Sequence, residues 1–508
     1  MTPQFQVLLE EVLMRLIARL CLTVGLVTGS AAHAEVVVSP DWTADRVLSQ
    51  RPNSLGDVDV VTFSSRTRED GKPDIVKSGT VRLWDDVDQI SIGASETITD
   101  YKLCRSFSWR GTETTFNNAS CFALPAFQQL ELRNRILLSK LLGDAKALDG
   151  QIPSFQDAVW SEQELSTQKT PSSPLTVKRS KESIEWWLGT ELVVKTSATG
   201  HPIAKSDRTK FLRYFSRYLS IHPQVRRDII ESGIIPSQID ISHRRLDGKS
   251  VETILFSSWQ TNTTNYPLPP HLTSEIAARS KENSVEAAGI RSTLNALSGV
   301  GESPKTSFES LADQLEGNAK RKEALQTTLT FLKLTQVFGG LLMADREKMS
   351  RLRTLMPIVQ PLLRSDEASK FMQASSLAGT EGEGPEREAS AAYLADAQNL
   401  DQIDFGTFRY VTFANLVQIS RGTKTWDEAI FRKMPSLTDS YWTHIATFPW
   451  ASNAFKDLGD TWYSQFETSK AWEAWDLGKA VDADWQRGSM KSVDDLENRI
   501  RLLMPDSF

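Results

Sequence analysis

Cysteine is scarce in this sequence, three residues in 508, and one of them, Cys21, falls in an N-terminal leader. The other two, Cys104 and Cys121, do not have the Cys-x-x-Cys spacing of a redox-active dithiol at a helix start. A basic excess is also missing. With 58 Lys and Arg against 64 Asp and Glu the net charge is −6, so nothing global draws the chain to DNA or RNA. Long apolar runs are lacking beyond the leader. The nearest, TLTFLKLTQVFGGLLM over 328–343, is interrupted by Lys333 and Gln336 and followed by ADREK. It reads as a buried helix, because a span needs about 20 apolar residues. Catalytic signatures are absent too: no HExxH, no GxSxG, no GxxxxGK[ST] and no catalytic cysteine pattern. No cofactor and no metal site is therefore expected.

What is present begins at the N-terminus. From Met14 the chain has Arg15 and Arg19, an apolar run from Leu20 to Val27, and small residues ending in Ala32-His33-Ala34. That is the layout of a secretory signal cleaved after Ala34. Glu10 and Glu11 suit its basic region badly, so Met14 reads as the start. Removal of residues 1–34 leaves no transmembrane segment and places the protein in the periplasm or outside the cell. In an oxidising compartment the pair Cys104 and Cys121 is expected as a disulfide. The flanking stretches TDYKLCRSFSW (99–109) and TTFNNASCFAL (114–124) read as two strands of a hairpin that would set the cysteines opposite each other.

With 40% hydrophobic and 24% charged residues the chain is globular, and its length suits two to four domains of roughly 100–200 residues. Residues 35–165 read as mixed structure: strands at 57–63 and 80–92, the stapled hairpin, and a helix from Pro125 to Gly143. A Ser-, Pro- and Lys-rich linker is expected at 166–182. A second mixed block covers 183–270, with strand composition at 184–200, a helix over SDRTKFLRYFSRYLS, a helix from Pro223 closed by Gly233, and a hairpin about Asp247-Gly248. Halves of one α+β domain and two separate regions both fit. Helices follow over 271–377, with breaks at 299–304, Pro357 and Pro361. A flexible acidic linker spans 378–390, and helices run from 391 to 508, a segment with seven of the fourteen tryptophans. The expected fold class is an α+β N-terminal region followed by an all-α helical C-terminal half.

Within that half, Phe455, Leu458, Gly459 and Trp462 share one helical face, and Ala471, Trp475 and Gly478 share a face of the next helix. These positions resemble a tetratricopeptide (TPR) repeat over 452–485. Gly478 stands where the repeat usually has alanine and Ala483 where a helix-ending proline is common. No tandem copy lies 34 residues upstream, where Arg421, Lys424 and Thr425 occupy the key places. The resemblance implies a TPR-like helical domain whose first helix turns Asn453, Lys456, Asp460 and Tyr463 to a peptide groove.

Two further sets of residues draw attention. Lys210, Arg213 and Arg217 form the basic face of one helix, suited to an anionic envelope component. His222, as a base oriented by Asp228, is the one imaginable catalytic pair, and no nucleophile accompanies it. The reading is an exported envelope protein that mediates protein or peptide interactions through its helical-repeat domain. The alternative is a periplasmic hydrolase or glycan-acting enzyme with its site in the N-terminal region.

Overall fold

The computed structural model describes residues 40, 42–51, 54–69, 71–149, 158–165, 174–245, 248–299, 304–378, 437–481 and 491–508. The leader, most of the acidic linker and residues 391–436 lie outside the described residues. The chain divides into two compact units, one formed by Met1–Ala278 with Gly459–Phe508 and the other by Arg279–Leu458.

The first unit is organised by one large sheet. In chain order its strands are β1 (Ser54–Glu69), β2 (Ile75–Leu83), β3 (Val87–Ile92), β4 (Ser95–Asp100), β5 (Arg105–Arg110), β6 (Thr115–Ser120), β7 (Thr176–Arg179), β8 (Ser183–Leu188) and β9 (Glu191–Ser197). After the short pair β10 (Gly200–Pro202) and β11 (Ile234–Pro236) come β12 (Gln238–Arg245), β13 (Gly248–Asn265) and β14 (Thr273–Ser274). Twelve of them form one sheet in the order β14-β6-β5-β4-β3-β2-β1-β13-β12-β9-β8-β7. Every ladder is antiparallel except the two-residue pairing of β14 with β6.

This overturns the expected fold class. The two mixed blocks are not separate α+β pieces, because β1 of the first pairs with β13 of the second from Ser54↔Asn265 to Glu69↔Ser250. That ladder joins the strands of both blocks, apart from the short pair β10–β11, into a single sheet. The expected strand at 80–92 is in fact the hairpin β2–β3, turned at Trp84 where its amide donates to the Val87 carbonyl at 2.9 Å. The 184–200 stretch likewise folds back on itself. Gly189 at φ 58° supplies the left-handed residue that the tight β8–β9 turn requires. Thr176–Arg179 of the expected linker is the edge strand β7.

Register parity puts a core on each face. Val61, Phe63, Val81, Leu83 and Ile90 point to one side with the apolar parts of β9, β12 and β13. Val58, Ile98 and Phe107 point to the other, where they meet Ala44 and Val47 of helix α1 (Ala44–Ser49) and the segment carrying Tyr266, Leu268 and Leu272. Helix α2 (Ala123–Asp149) runs on through Gly143, past its expected end. Helix α3 (Ala158–Leu165) docks Trp160 on the first core. That core is covered by α4 (Arg208–Tyr218) and α5 (Pro223–Ser232), the latter closed by Gly233 at φ 74°.

The second unit is helical. After the short α6 (Glu275–Arg279) it contains α7 (Val285–Leu297), α8 (Pro304–Lys320), α9 (Ala324–Ala344), α10 (Arg346–Leu363), α11 (Asp366–Ala378) and α12 (Leu437–Thr447). Pro357 and Pro361 lie inside α10 and do not end it. Trp442 packs so tightly on Gly289 that a Cβ there would come within 2.5 Å of its ring.

Helix α13 (Ser452–Ser464) carries the division between the units, at Leu458/Gly459. Helices α14 (Thr468–Val481) and α15 (Lys491–Leu503) belong to the sheet unit. The C-terminal half is helical as expected among the described residues, but its last helices pack with the sheet unit. The physical link is an ion pair between Arg105 on β5 and Asp476 on α14 at 2.6 Å, joined by a stack of Phe122 on Trp472 at 6.3 Å.

Candidate functional site

The described part of the molecule offers one densely worked surface, the sheet face beneath α4. In that helix Phe211, Tyr214, Phe215 and Tyr218 recur at helical spacing and turn inward. Each large apolar side chain buried this way contributes about 1.5–3 kcal/mol. Phe211, Tyr214 and Phe215 meet Val61, Val81, Leu83, Ile235, Phe256 and Trp259, and the space left between them is nowhere wide enough for a water. The imidazole of His201 lies flat on Trp259 at 4.4 Å beside this space. The lining is wholly hydrocarbon and aromatic except for the Tyr hydroxyl and the indole nitrogen.

The basic side chains of α4 do not form an exposed anion site. Lys210, Arg213 and Arg217 are all more than nine-tenths buried. Lys210 reaches Asp59 at 2.6 Å and Asp207 at 3.0 Å. Burial works against its charge, but the bonds to Asp59 and Asp207 more than reverse this and hold the ammonium pKa above its ordinary value. Arg213 donates to the carbonyls of Asp85 and Trp84 at 2.7 and 3.1 Å, stands 3.5 Å from Asp88, and lies over the Tyr101 ring at 4.3 Å. Arg217 donates to the carbonyls of Cys121 and Ser507. These three cations, each bonded within the protein, are not offered to an external anion. The sequence was legible as an amphipathic helix, and wrong about which medium its basic face meets.

Asp59, Asp88 and Tyr101 were missed from the sequence. Tyr101 donates to Asp88 at 2.6 Å, and Thr99 and Tyr218 share a hydroxyl bond at 2.6 Å. Burial pushes the Asp88 carboxyl above its usual range, opposed by the charges of Arg213 and Arg217 and by the Tyr101 hydroxyl. Burial likewise raises the Tyr101 phenol, with the neighbouring Asp88 charge adding to it. The available signal was strand alternation: Asp88 shares a face with Ile90, and Asp59 with Val61. An acid at a core-facing strand position calls for a buried partner.

His222 and Asp228 do not act as the expected base and orienting carboxylate. His222 is fully buried, accepts the Gln224 amide at its Nδ1 as the cap of α5, and has Glu162 at 3.6 Å from its Nε2. Asp228 instead accepts the Trp186 indole N–H at 2.8 Å. A second polar group lies on the covered face at His243 and Glu252, 3.5 Å apart. The hydrogen bond from His243 is the main cause that holds the Glu252 carboxyl below its ordinary value. Among the described residues no group of three or more His, Cys, Asp or Glu could hold a metal ion.

Cys104 and Cys121 form a disulfide immediately outside the β5–β6 ladder, where the Cys121 amide also donates to the Cys104 carbonyl at 3.0 Å. Asn453, Lys456, Asp460 and Tyr463 lie along α13. The first two are half-buried, Asp460 is exposed, and the Tyr463 ring packs on Trp472 and Trp475 at 6.0 and 5.8 Å. Trp472, whose direction the helical pattern left open, is fully buried and donates to Glu497 at 2.9 Å. No helix among the described residues is long and apolar enough to cross a membrane.

No family model and no curated protein matches the chain. Among solved structures, a LolA superfamily protein from Nitrosomonas europaea aligns at 8% identity over 45% of this chain and 96% of its own, with a TM-score of 0.18. Lipovitellin, in a structure described by its lipid–protein interactions, aligns at 11% identity over 88% of this chain and 54% of its own, with a TM-score of 0.15. At these scores neither likeness bears on the fold or function of this chain.

Proposed function

We propose that this is an exported binding protein whose ligand is an apolar chain, an acyl chain or an apolar peptide segment, held against the sheet beneath α4. The carrying observation is the predominantly apolar lining beneath that helix, where Val61, Val81, Leu83, Ile235 and Phe256 face Phe211 and Phe215. Sites for small ligands are concave, mostly apolar and fixed by a few polar groups, and here Tyr214 and the flat His201–Trp259 pair supply those. The space is too narrow to admit a chain as it stands, so binding requires α4 to give way. Export follows from the N-terminal signal pattern and accords with a disulfide, a bond of oxidising compartments. Peptide capture on α13 has less support, because α14 spends Ala471, Trp472, Ala474, Trp475, Asp476, Leu477 and Gly478 on the interior and leaves little helix surface for a second wall.

Titration of the mature protein with a fluorescent fatty acid and with a labelled apolar peptide tests the reading. Saturable binding is expected, abolished in Val81→Trp, which fills the space, and strengthened in Phe215→Ala, which enlarges it. Binding indifferent to both substitutions would place the ligand elsewhere.

A further inference from the structure

Past the strands that flank it, the sheet projects a four-stranded tongue. β3 covers β2 only from Gly79 to Leu83, and β9 covers β12 only from Ile239 to Ile241. The four strands β2, β1, β13 and β12 continue beyond both, with β1 and β13 paired as far as Glu69↔Ser250 and β12 and β13 as far as Arg245↔Gly248. Cross-strand partners share a face, so register assigns the two sides of this tongue. On one side Ser65, Thr67, Lys77 and Glu252 continue the covered face. On the other, Val76 stands beside Arg66, Arg66 beside Thr253, Arg68 beside Val251, and Ser64 beside Leu255.

That second side changes character along β1. It begins at Val58, fully buried in a core, and ends at Arg66 and Arg68 in solvent. Three aliphatic side chains remain uncovered there: Val76 is 59% exposed, Leu255 44% and Val251 40%. The cations among them reach outward, with Arg66 57%, Arg68 67% and Lys249 63% exposed at the side chain. Arg244 holds the register position opposite Lys249. The acids are held closer in: Asp74 is 36% exposed, Glu191, 29% exposed, pairs with Lys249 at 3.0 Å, and Asp240, opposite Thr253, is half-buried. The contacts of Asp74 with Arg66 and Arg68 are long, at 3.8 and 3.7 Å, and pairs this exposed contribute little. In a chain of net charge −6 the outward positive charge beside these aliphatic groups comes chiefly from Arg66 and Arg68.

We infer that this face of the tongue docks on an anionic bilayer surface. Cations pull the tongue to the headgroups, and Val76, Val251 and Leu255 settle among them. This is the division of labour in peripheral membrane attachment, where buried apolar area and attraction to anionic lipid act together. Val76 on β2 and Val251 and Leu255 on β13 share one side of the sheet across β1, so a surface laid against that side meets all three.

The test is sedimentation of the full chain with vesicles of phosphatidylcholine alone and of phosphatidylcholine with phosphatidylglycerol in equal parts. Binding is expected on the second only, falling as salt rises. Neutralising Arg66→Ser or Arg68→Ser should weaken it about fivefold each, the equivalent of about 1 kcal/mol per basic residue near an anionic surface. Val76→Ser with Val251→Ser should weaken it further. All four positions are exposed, so thermal melts of the variants should match the parent, and any that does not is replaced by the milder Arg66→Gln or Val76→Ala. Equal binding to both vesicle types, or binding unchanged by the arginine variants, overturns the inference. So does retention on poly-glutamate beads that matches vesicle binding and is indifferent to the valine substitutions, since that outcome identifies an acidic polypeptide partner. None of these readouts depends on an apolar ligand beneath α4.

Discussion

Arg105 and Asp476, 371 positions apart in sequence, meet at 2.6 Å with both side chains buried. One stands on β5 and the other on α14, so the pair joins the C-terminal helices to the sheet. A buried pair repays its desolvation only while both partners are present, and removing one leaves an uncompensated charge. Asp476→Ala is expected to destabilise the protein by about 3–5 kcal/mol, read as a lowered urea midpoint. Arg105→Met combined with Asp476→Leu should recover most of that loss. A double variant as unstable as the single one would show that packing, not charge, is what the pair provides.

Gly459 and Trp475 define a second close approach in the same unit. A Cβ on Gly459 would lie 2.2 Å from the Trp475 Nε1 and 2.4 Å from its Cδ1. In an exposed helix, glycine to alanine gains about 1 kcal/mol. Here the ring leaves no room, so Gly459→Ala should lose about 1–3 kcal/mol through overpacking. Trp475→Phe, costly alone, should cost less in the Gly459→Ala background. Additive losses in the double-mutant cycle would count against direct contact.

These two contacts show what the sequence could and could not disclose. The large-on-small pattern of Phe455, Gly459, Trp462, Ala471 and Trp475 was visible as helical spacing, because such contacts sit a few residues apart on adjoining helices. The partnership of Arg105 with Asp476 was invisible, since nothing local in either segment specifies the other. The same distinction governs the sheet. The β12–β13 hairpin announced itself through Asp247-Gly248 between alternating strands, while the β1–β13 ladder, which joins residues near 60 to residues near 260, left only its alternation as a trace. The α4 cations were misplaced for that reason. Helical periodicity separates Lys210, Arg213 and Arg217 from Phe211 and Phe215, but it does not reveal that Asp59 and Asp88 wait on the strands beneath.

The disulfide supports a third prediction. Cys104 and Cys121 close a loop with a sequence separation of 17, and restricting the unfolded chain over such a loop is worth about 3 kcal/mol. Cys104→Ser with Cys121→Ser should lower stability by about that amount. It should also loosen the C-terminus, because the Cys121 carbonyl and the Ser507 carbonyl share the Arg217 guanidinium. Thiol titration of the oxidised mature protein should find no reactive cysteine, and two reactive thiols would remove the staple.

In the helical unit, the buried His444 gives stability a defined pH dependence. Burial, aided by the nearby Lys333 charge, pulls the imidazole from an ordinary 6.5 down to about 3. The folded protein therefore keeps His444 neutral across a range in which the unfolded chain takes up a proton. Its contribution is fully present above pH 6.5, declines as the pH falls below that, and levels off near 3. Within that window the slope is at most about 1.4 kcal/mol per pH unit from this one group. His444→Leu removes the proton uptake, so its urea midpoint at pH 5 should fall less, relative to pH 7, than that of the parent. Parallel pH curves for parent and variant would show that the imidazole charges in the folded state as readily as in the unfolded chain.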